Sequence, residues 1–199
     1  MTEPGSDRRA GRRKLVLLAA VFLLPLAVAL WLNFSSWRPA TGVQHGELIE
    51  PPRPLPEVVL MLPDGRTATA QVLRGTWFLV YLGNGRCREP CLAALAEMRR
   101  VRLALDKDTA RVRRVLLHAG DCCGPDFHAL RDQDLLVLAA SGPAGRALLE
   151  SFPRAPGGGA IYIYIVDPRG HLMMRHPATG SASGLLADLK RLLRLSSIG

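Results

Sequence analysis

The chain has 199 residues, with 26 Lys and Arg against 17 Asp and Glu for a formal charge of +9, 48% apolar residues and four cysteines. That length holds one ordinary domain plus accessories. The apolar content excludes a disordered chain, the cysteines are too few for a disulfide-dense scaffold, and no self-similar period of about 20 to 50 residues exists to support a repeat solenoid.

Residues 1–14 read as a basic cytoplasmic tail, in which Arg8, Arg9, Arg12, Arg13 and Lys14 are offset only by Glu3 and Asp7. Leu15 to Leu32 follows, 18 residues without a charge. As a helix it covers roughly 27 Å, close to the hydrocarbon thickness of a bilayer. Pro25 is better tolerated in such a helix than in a soluble one. Positive residues stay on the cytoplasmic side, so 15–32 is expected to be a single transmembrane anchor with its N-terminus inside and the rest of the chain exported. Trp31 and Trp37 suit the outer headgroup interface. A cleavable signal peptide with Ala27-Val28-Ala29 as its cleavage site is the other reading, although the apolar run is long for one. The paired arginines suggest a twin-arginine signal, but the rest of that pattern is absent. Each reading puts the following domain outside the cytoplasm.

Residues 33–56 contain five prolines (Pro39, Pro51, Pro52, Pro54 and Pro56) and read as a semi-extended tether. The domain proper is expected over 57–199, with 19 basic and 13 acidic residues for a net +6. For an exported domain such a balance points to anionic lipid headgroups or an acidic protein face, or simply to a solvated surface, and not to nucleic acid.

Within it, Val58–Leu62 and Thr67–Leu73 flank the turn signature Pro63-Asp64-Gly65 and predict a β-hairpin. Trp77–Leu82 is nearly all apolar, as central strands are, and Gly83-Asn84-Gly85 ends it. Leu92, Leu95, Met98, Val101, Leu103 and Leu105 recur at helical spacing, with Arg99, Arg100 and Arg102 mostly on the other face. Val112–His118 and Leu135–Ala139 read as strands and Ala144–Phe152 as a short helix. Ile161–Val166 is strand again, turning through Asp167-Pro168-Arg169-Gly170 into Leu172–Arg175, and Leu185–Leu195 is an amphipathic closing helix. The alternation predicts an α/β layer structure. A strand, a cysteine-bearing helix start, a βαβ unit, a hairpin and a last helix make a thioredoxin-like domain, a central mixed sheet flanked by helices.

Cys87 and Cys91 form C-R-E-P-C directly after the Trp77–Leu82 strand, where a helix is expected to begin. A helix N-terminus stabilises a thiolate through its free N–H groups and dipole, and Arg86 and Arg88 add to that while Glu89 opposes it. An i, i+4 pair there puts both sulfurs on one face, within reach of a disulfide or of one metal ion, with Cys87 the more exposed. Pro90 fits a first helical turn. The pair could instead be a fixed structural bridge. Cys122 and Cys123 lie in the loop after the second strand, which should leave the same sheet edge as the first pair. They could resolve a disulfide, complete a soft Cu(I) or Zn(II) site, or bond to each other. His118 and His128 flank that loop as further candidate ligands or proton carriers. HExxH, GxSxG and P-loop patterns are absent, which leaves hydrolase and nucleotide-dependent activities without support.

The anchor, the tether, the strand Trp77–Leu82, Cys87 and Cys91, and Tyr164–Gly170 (YIVDPRG) together resemble the Sco (SenC-like) proteins over most of residues 57–175. Met98–Leu117 is similar to short, singly anchored proteobacterial relatives of that group. The resemblance implies a thioredoxin-like protein of the bacterial inner membrane with a periplasmic domain. It would assist cytochrome c oxidase assembly by thiol–disulfide exchange or Cu(I) handling at Cys87 and Cys91, its partners being an oxidase subunit or other assembly factors. Where the resemblance places the family's histidine ligand, this chain has Gly159. Cys122, Cys123, His118 and His128 are then the candidates for further ligands. Two other functions fit the residues: a general periplasmic thiol–disulfide oxidoreductase, or a non-catalytic, membrane-tethered interaction module. A peroxidase is disfavoured because Gly83 to Arg86 supplies no hydroxyl.

Overall fold

Trp77–Gly83 (β4) is the centre of the sheet because its neighbours cover it on both edges and both faces. A computed structural model describes residues 6–34, 44–62, 65–83, 87–120, 122–123, 127, 133–154, 161–196 and 198, and the backbone alone at 6–11, 29, 32 and 33. The chain divides into two units, Met1–Gly42 and Val43–Gly199.

The first unit is the helix α1, Ser6–Phe34, with Pro25 inside it. Leu15, Leu18, Phe22, Leu24 and Trp31 are all exposed on it, so its apolar side chains face outward all round. Among the described residues no helix is long and apolar enough to cross a membrane. The side chains of Ala29 and Leu32, within the uncharged run, lie outside the described residues.

The second unit is built on eight strands: β1 (Glu47–Pro54), β2 (Val59–Met61), β3 (Thr67–Thr69), β4, β5 (Val112–His118), β6 (Leu135–Ala139), β7 (Tyr162–Val166) and β8 (His171–Pro177). Their order is β1-β8-β7-β4-β5-β6-β2-β3. β4, β5 and β6 run parallel, while β7 is antiparallel to β4 and β8 to β7, so the sheet is mixed. Among the described residues three longer α-helices flank the sheet: α2 (Cys91–Leu103), α3 (Gly142–Ser151) and α4 (Ala182–Leu195). This is the expected thioredoxin-like arrangement.

Side chains alternate across the pleat, and the two faces bury separate cores. On one face Leu79, Tyr81, Leu116, Ile163, Ile165 and Met174 pack with Leu95, Met98 and Val101 of α2 and with Leu185, Leu189 and Leu193 of α4. On the other, Phe78, Val80, Val115, Leu117, Tyr164 and Val166 pack with Leu148, Leu149 and Phe152 at α3. Each fully buried side chain of this size contributes roughly 1.5–3 kcal/mol. β5 also buries Arg114, 1% exposed. Its guanidinium donates to Asp134 Oδ2 at 2.6 Å and Oδ1 at 3.2 Å and to the Leu95 carbonyl at 3.1 Å, which replaces the water it loses.

Three expectations are corrected. The segment read as free tether contributes an eighth strand: β1 pairs with β8, Glu47 opposite Arg175 and Pro54 opposite His171. Prolines lack the N–H a ladder needs, so they sit on an edge strand whose register shifts between Leu48 and Arg53. β1 therefore belongs to the same unit as the rest of the sheet. The second hairpin strand is short, and Ala70–Leu73 turns into a 3-10 helix because Ala70 and Leu73 dip into the core. Finally, α2 starts at Cys91, so Cys87 precedes the helix.

Candidate functional site

β4 and β5 are paired in parallel from Trp77–Val112 to Gly83–His118. Their carboxyl ends therefore finish side by side, and the segments carrying the two cysteine pairs leave from one sheet edge. This is where open α/β sheets place their ligands.

Cys87 and Cys91 are joined by a disulfide, their Cα atoms 5.3 Å apart. The turn between them is closed by the Cys91 N–H on the Arg88 carbonyl at 2.6 Å, and Ala94 N–H reaches the Pro90 carbonyl at 3.0 Å to begin α2. Cys87 is 4% exposed and Cys91 7%, so both are buried and Cys87 is not the more exposed of the two, as its expected place at the helix start had suggested. Nor do the two share a helix face: a bend through Glu89 and Pro90 brings them together instead. Both sulfurs still sit at the N-terminus of α2, where the first free N–H groups favour a thiolate once the bond is reduced. Arg88 and Glu89 are exposed around the pair; Arg86 lies outside the described residues.

Cys122 and Cys123 are bonded to each other and pack against the core face that also holds Cys87 and Cys91. His118 ends β5 on this face. It is buried, with Nδ1 2.9 Å from the Gly120 carbonyl, and its Cβ would lie 3.5 Å from a Cβ added at Gly83. His128 and Gly159 lie outside the described residues. Cu(I) takes soft thiolates, and reduction of the disulfide supplies two. Among the described residues no group of three or more Cys, His, Asp or Glu could hold a metal ion.

A second polar cluster escaped the sequence reading. Asp188, on the buried side of α4, is 3% exposed. Its Oδ2 accepts the backbone N–H groups of His45 and Gly46, each at 2.8 Å, and lies 3.2 Å from His176 Nε2. Burial lowers the pKa of His176 against the pull of Asp188, with His45 lowering it further. Gly46 lies against the His176 ring, where a Cβ would come within 2.3 Å of Nε2, and Gly184 lies against His45. The signal was present: an aspartate within the apolar stripe Leu185, Leu189, Leu193, and a histidine at the inward beat of Leu172, Met174, His176.

A family model described as a transmembrane-like, thioredoxin-like C-terminal domain matches residues 77–196. Solved structures share the fold. The chain is similar to apo Sco1 of Thermus thermophilus at 21% identity and a TM-score of 0.60, covering 77% of this chain and 99% of that one. It is similar to copper-bound Sco1 of yeast at 12% identity and a TM-score of 0.60, over 73% and 95%. Copper-bound ScoI of Arabidopsis thaliana matches at 16% identity and a TM-score of 0.58, over 71% and 99%. No curated protein matches the sequence. With the strand order, the cysteine pair between β4 and α2, and a family match running from the first residue of β4 to the residue after α4, the chain belongs to the transmembrane-like, thioredoxin-like C-terminal domain family.

Proposed function

We propose that this protein is a membrane-anchored, periplasmic thiol–disulfide exchanger that assists assembly of the copper centre of cytochrome c oxidase. The observation that carries the reading is the Cys87–Cys91 disulfide between β4 and the N-terminus of α2, in a fold shared with Sco proteins. The outward-facing apolar side chains of α1 and the basic residues before them support the anchor. One thiolate of the reduced pair attacks a disulfide of the target subunit and forms a mixed disulfide, releasing one target thiolate. The second cysteine then attacks the protein's own sulfur in that bond and releases the other. The balance is two electrons and two protons passed from the Cys87/Cys91 dithiol to the target disulfide. A tether to the same membrane raises the effective concentration of the partner.

The copper-bound Sco proteins of yeast and Arabidopsis favour a second reading in which Cu(I) is the cargo. Cys87 and Cys91 would hold it as thiolates and hand it on by ligand exchange. Anaerobic titration of the reduced full chain with Cu(I) against a competing chelator separates the two. Tight binding of one equivalent, lost in Cys87→Ser, supports the cargo reading. Binding no tighter than that of Cys87→Ser, together with disulfide exchange that requires both cysteines, supports the exchanger. Oxidase assembly in membranes unaffected by the Cys87→Ser, Cys91→Ser double variant would overturn both.

A further inference from the structure

The end of the domain opposite the cysteines carries features that exchange chemistry does not use. Trp77 opens β4 there, and the turn Asp167–Gly170 closes β7 onto β8. Between that turn and the last turn of α4 lies a cavity of about 400 Å³, walled by Trp77, Pro168, Arg169, Leu192, Leu195 and Ile198. Trp77 is buried, and among the described residues its indole N–H has no hydrogen-bond partner. At the rim Leu195 is 78% exposed and Ile198 46%. Arg169, which walls the cavity, and Lys190, Arg191 and Arg194 in the last two turns of α4 are exposed.

Among the described residues, the carboxylates near this end do not balance these cations. Asp167 Oδ1 accepts the backbone N–H groups of Arg169 and His171, at 3.0 and 2.7 Å, and is occupied in holding the turn. Asp188, the one carboxylate of α4, is buried. Asp108 pairs with Arg111, and Lys107 stands next to Asp106. Arg111 also donates to the carbonyls of Leu193, Ser196 and Ile198 at 3.1, 2.8 and 3.3 Å, which fixes the apolar tip in place.

We infer that this end is a docking surface for an anionic phospholipid leaflet. The cations match lipid phosphates, Leu195 and Ile198 match the boundary between headgroup and acyl chain, and the cavity with its unpartnered indole donor admits an oxygen-rich headgroup. The inference rests on the membrane-anchored reading. Strand β4 spans seven residues between the two ends, so docking would hold the cysteine edge about 20 Å further from the lipid and facing away from it.

Hydrogen exchange of the full chain in nanodiscs of phosphatidylcholine alone, and with about one quarter phosphatidylglycerol, tests this. Amides of 169–172 and 190–196 should exchange about fivefold more slowly in the anionic discs for each cation engaged. That protection should vanish in about 0.5 M salt. It should also vanish in the Arg169→Gln, Lys190→Gln, Arg191→Gln, Arg194→Gln variant, while the β4 and β5 amides stay unchanged as a check on folding. Equal exchange in the two discs overturns the inference, as does protection that the variant retains. Protection by added polyglutamate but not by the anionic disc also overturns it and assigns the surface to an acidic polypeptide. Co-elution of the chain with the phosphatidylcholine disc reads the anchor separately, so loss of one reading is not mistaken for loss of the other.

Discussion

Replacing Asp188 with alanine tests whether β1 is an integral strand or a detachable one. The carboxylate accepts two backbone N–H groups at 2.8 Å and faces His176 at 3.2 Å, in a site 3% exposed. Hydrogen bonds to a buried carboxylate are worth about 1.5–3 kcal/mol each, so losing the acceptor of two costs roughly 3–6 kcal/mol. His45 is itself exposed and can turn its freed N–H to water, so the lower end, about 3 kcal/mol, is expected. For a domain of this size about 2–4 °C is lost per kcal/mol, which places the fall in Tm at roughly 6–12 °C. Asp188→Asn keeps one acceptor oxygen and should lose about half as much. Thermal unfolding of the full chain in detergent gives the first number, and hydrogen exchange of Leu48 and Arg53 gives the second, since β1 should open before β7 and β4 in the variant. A Tm change below about 2 °C, or β1 amides exchanging as in the parent, would refute the argument that Asp188 holds this segment in the sheet.

Three further outcomes follow from packing and charge. Gly46→Ala should destabilise the same segment by about 1–3 kcal/mol, because its Cβ would meet the His176 ring at 2.3 Å; normal thermal stability would show that the ring yields freely. His176 has its folded pKa lowered by burial, so the unfolded chain takes up its proton first. Its contribution is therefore fully present above the ordinary value of 6.5 and is lost as pH falls from there toward the folded pKa. A urea-midpoint profile should lose this slope in His176→Gln. Asp134→Ala strips Arg114 of its carboxylate at 1% exposure and should cost about 3 kcal/mol, whereas the joint Arg114→Met, Asp134→Ala variant should recover part of it; a double variant worse than the single one would contradict the desolvation argument.

The alternation of strands and helices, the central place of Trp77–Leu82 and the cysteine pair after it are all legible in the linear chain. These depend on local periodicity, on turn residues and on nearest neighbours along the chain, all of which are written linearly. What the sequence reading misjudged depends on contacts distant in sequence. Glu47–Pro54 looks like a linker because its prolines forbid a central strand, yet it becomes an edge strand once β8 offers a partner more than a hundred residues later. Asp188 looks like one polar residue on an apolar stripe until folding brings His45, Gly46 and His176 around it. The burial of Cys87 and Cys91 was likewise set by tertiary structure, because the start of α2 and the packing beneath it determine how each cysteine meets solvent. Period and turn chemistry are properties of the chain, whereas burial and long-range pairing are properties of the surface it packs against.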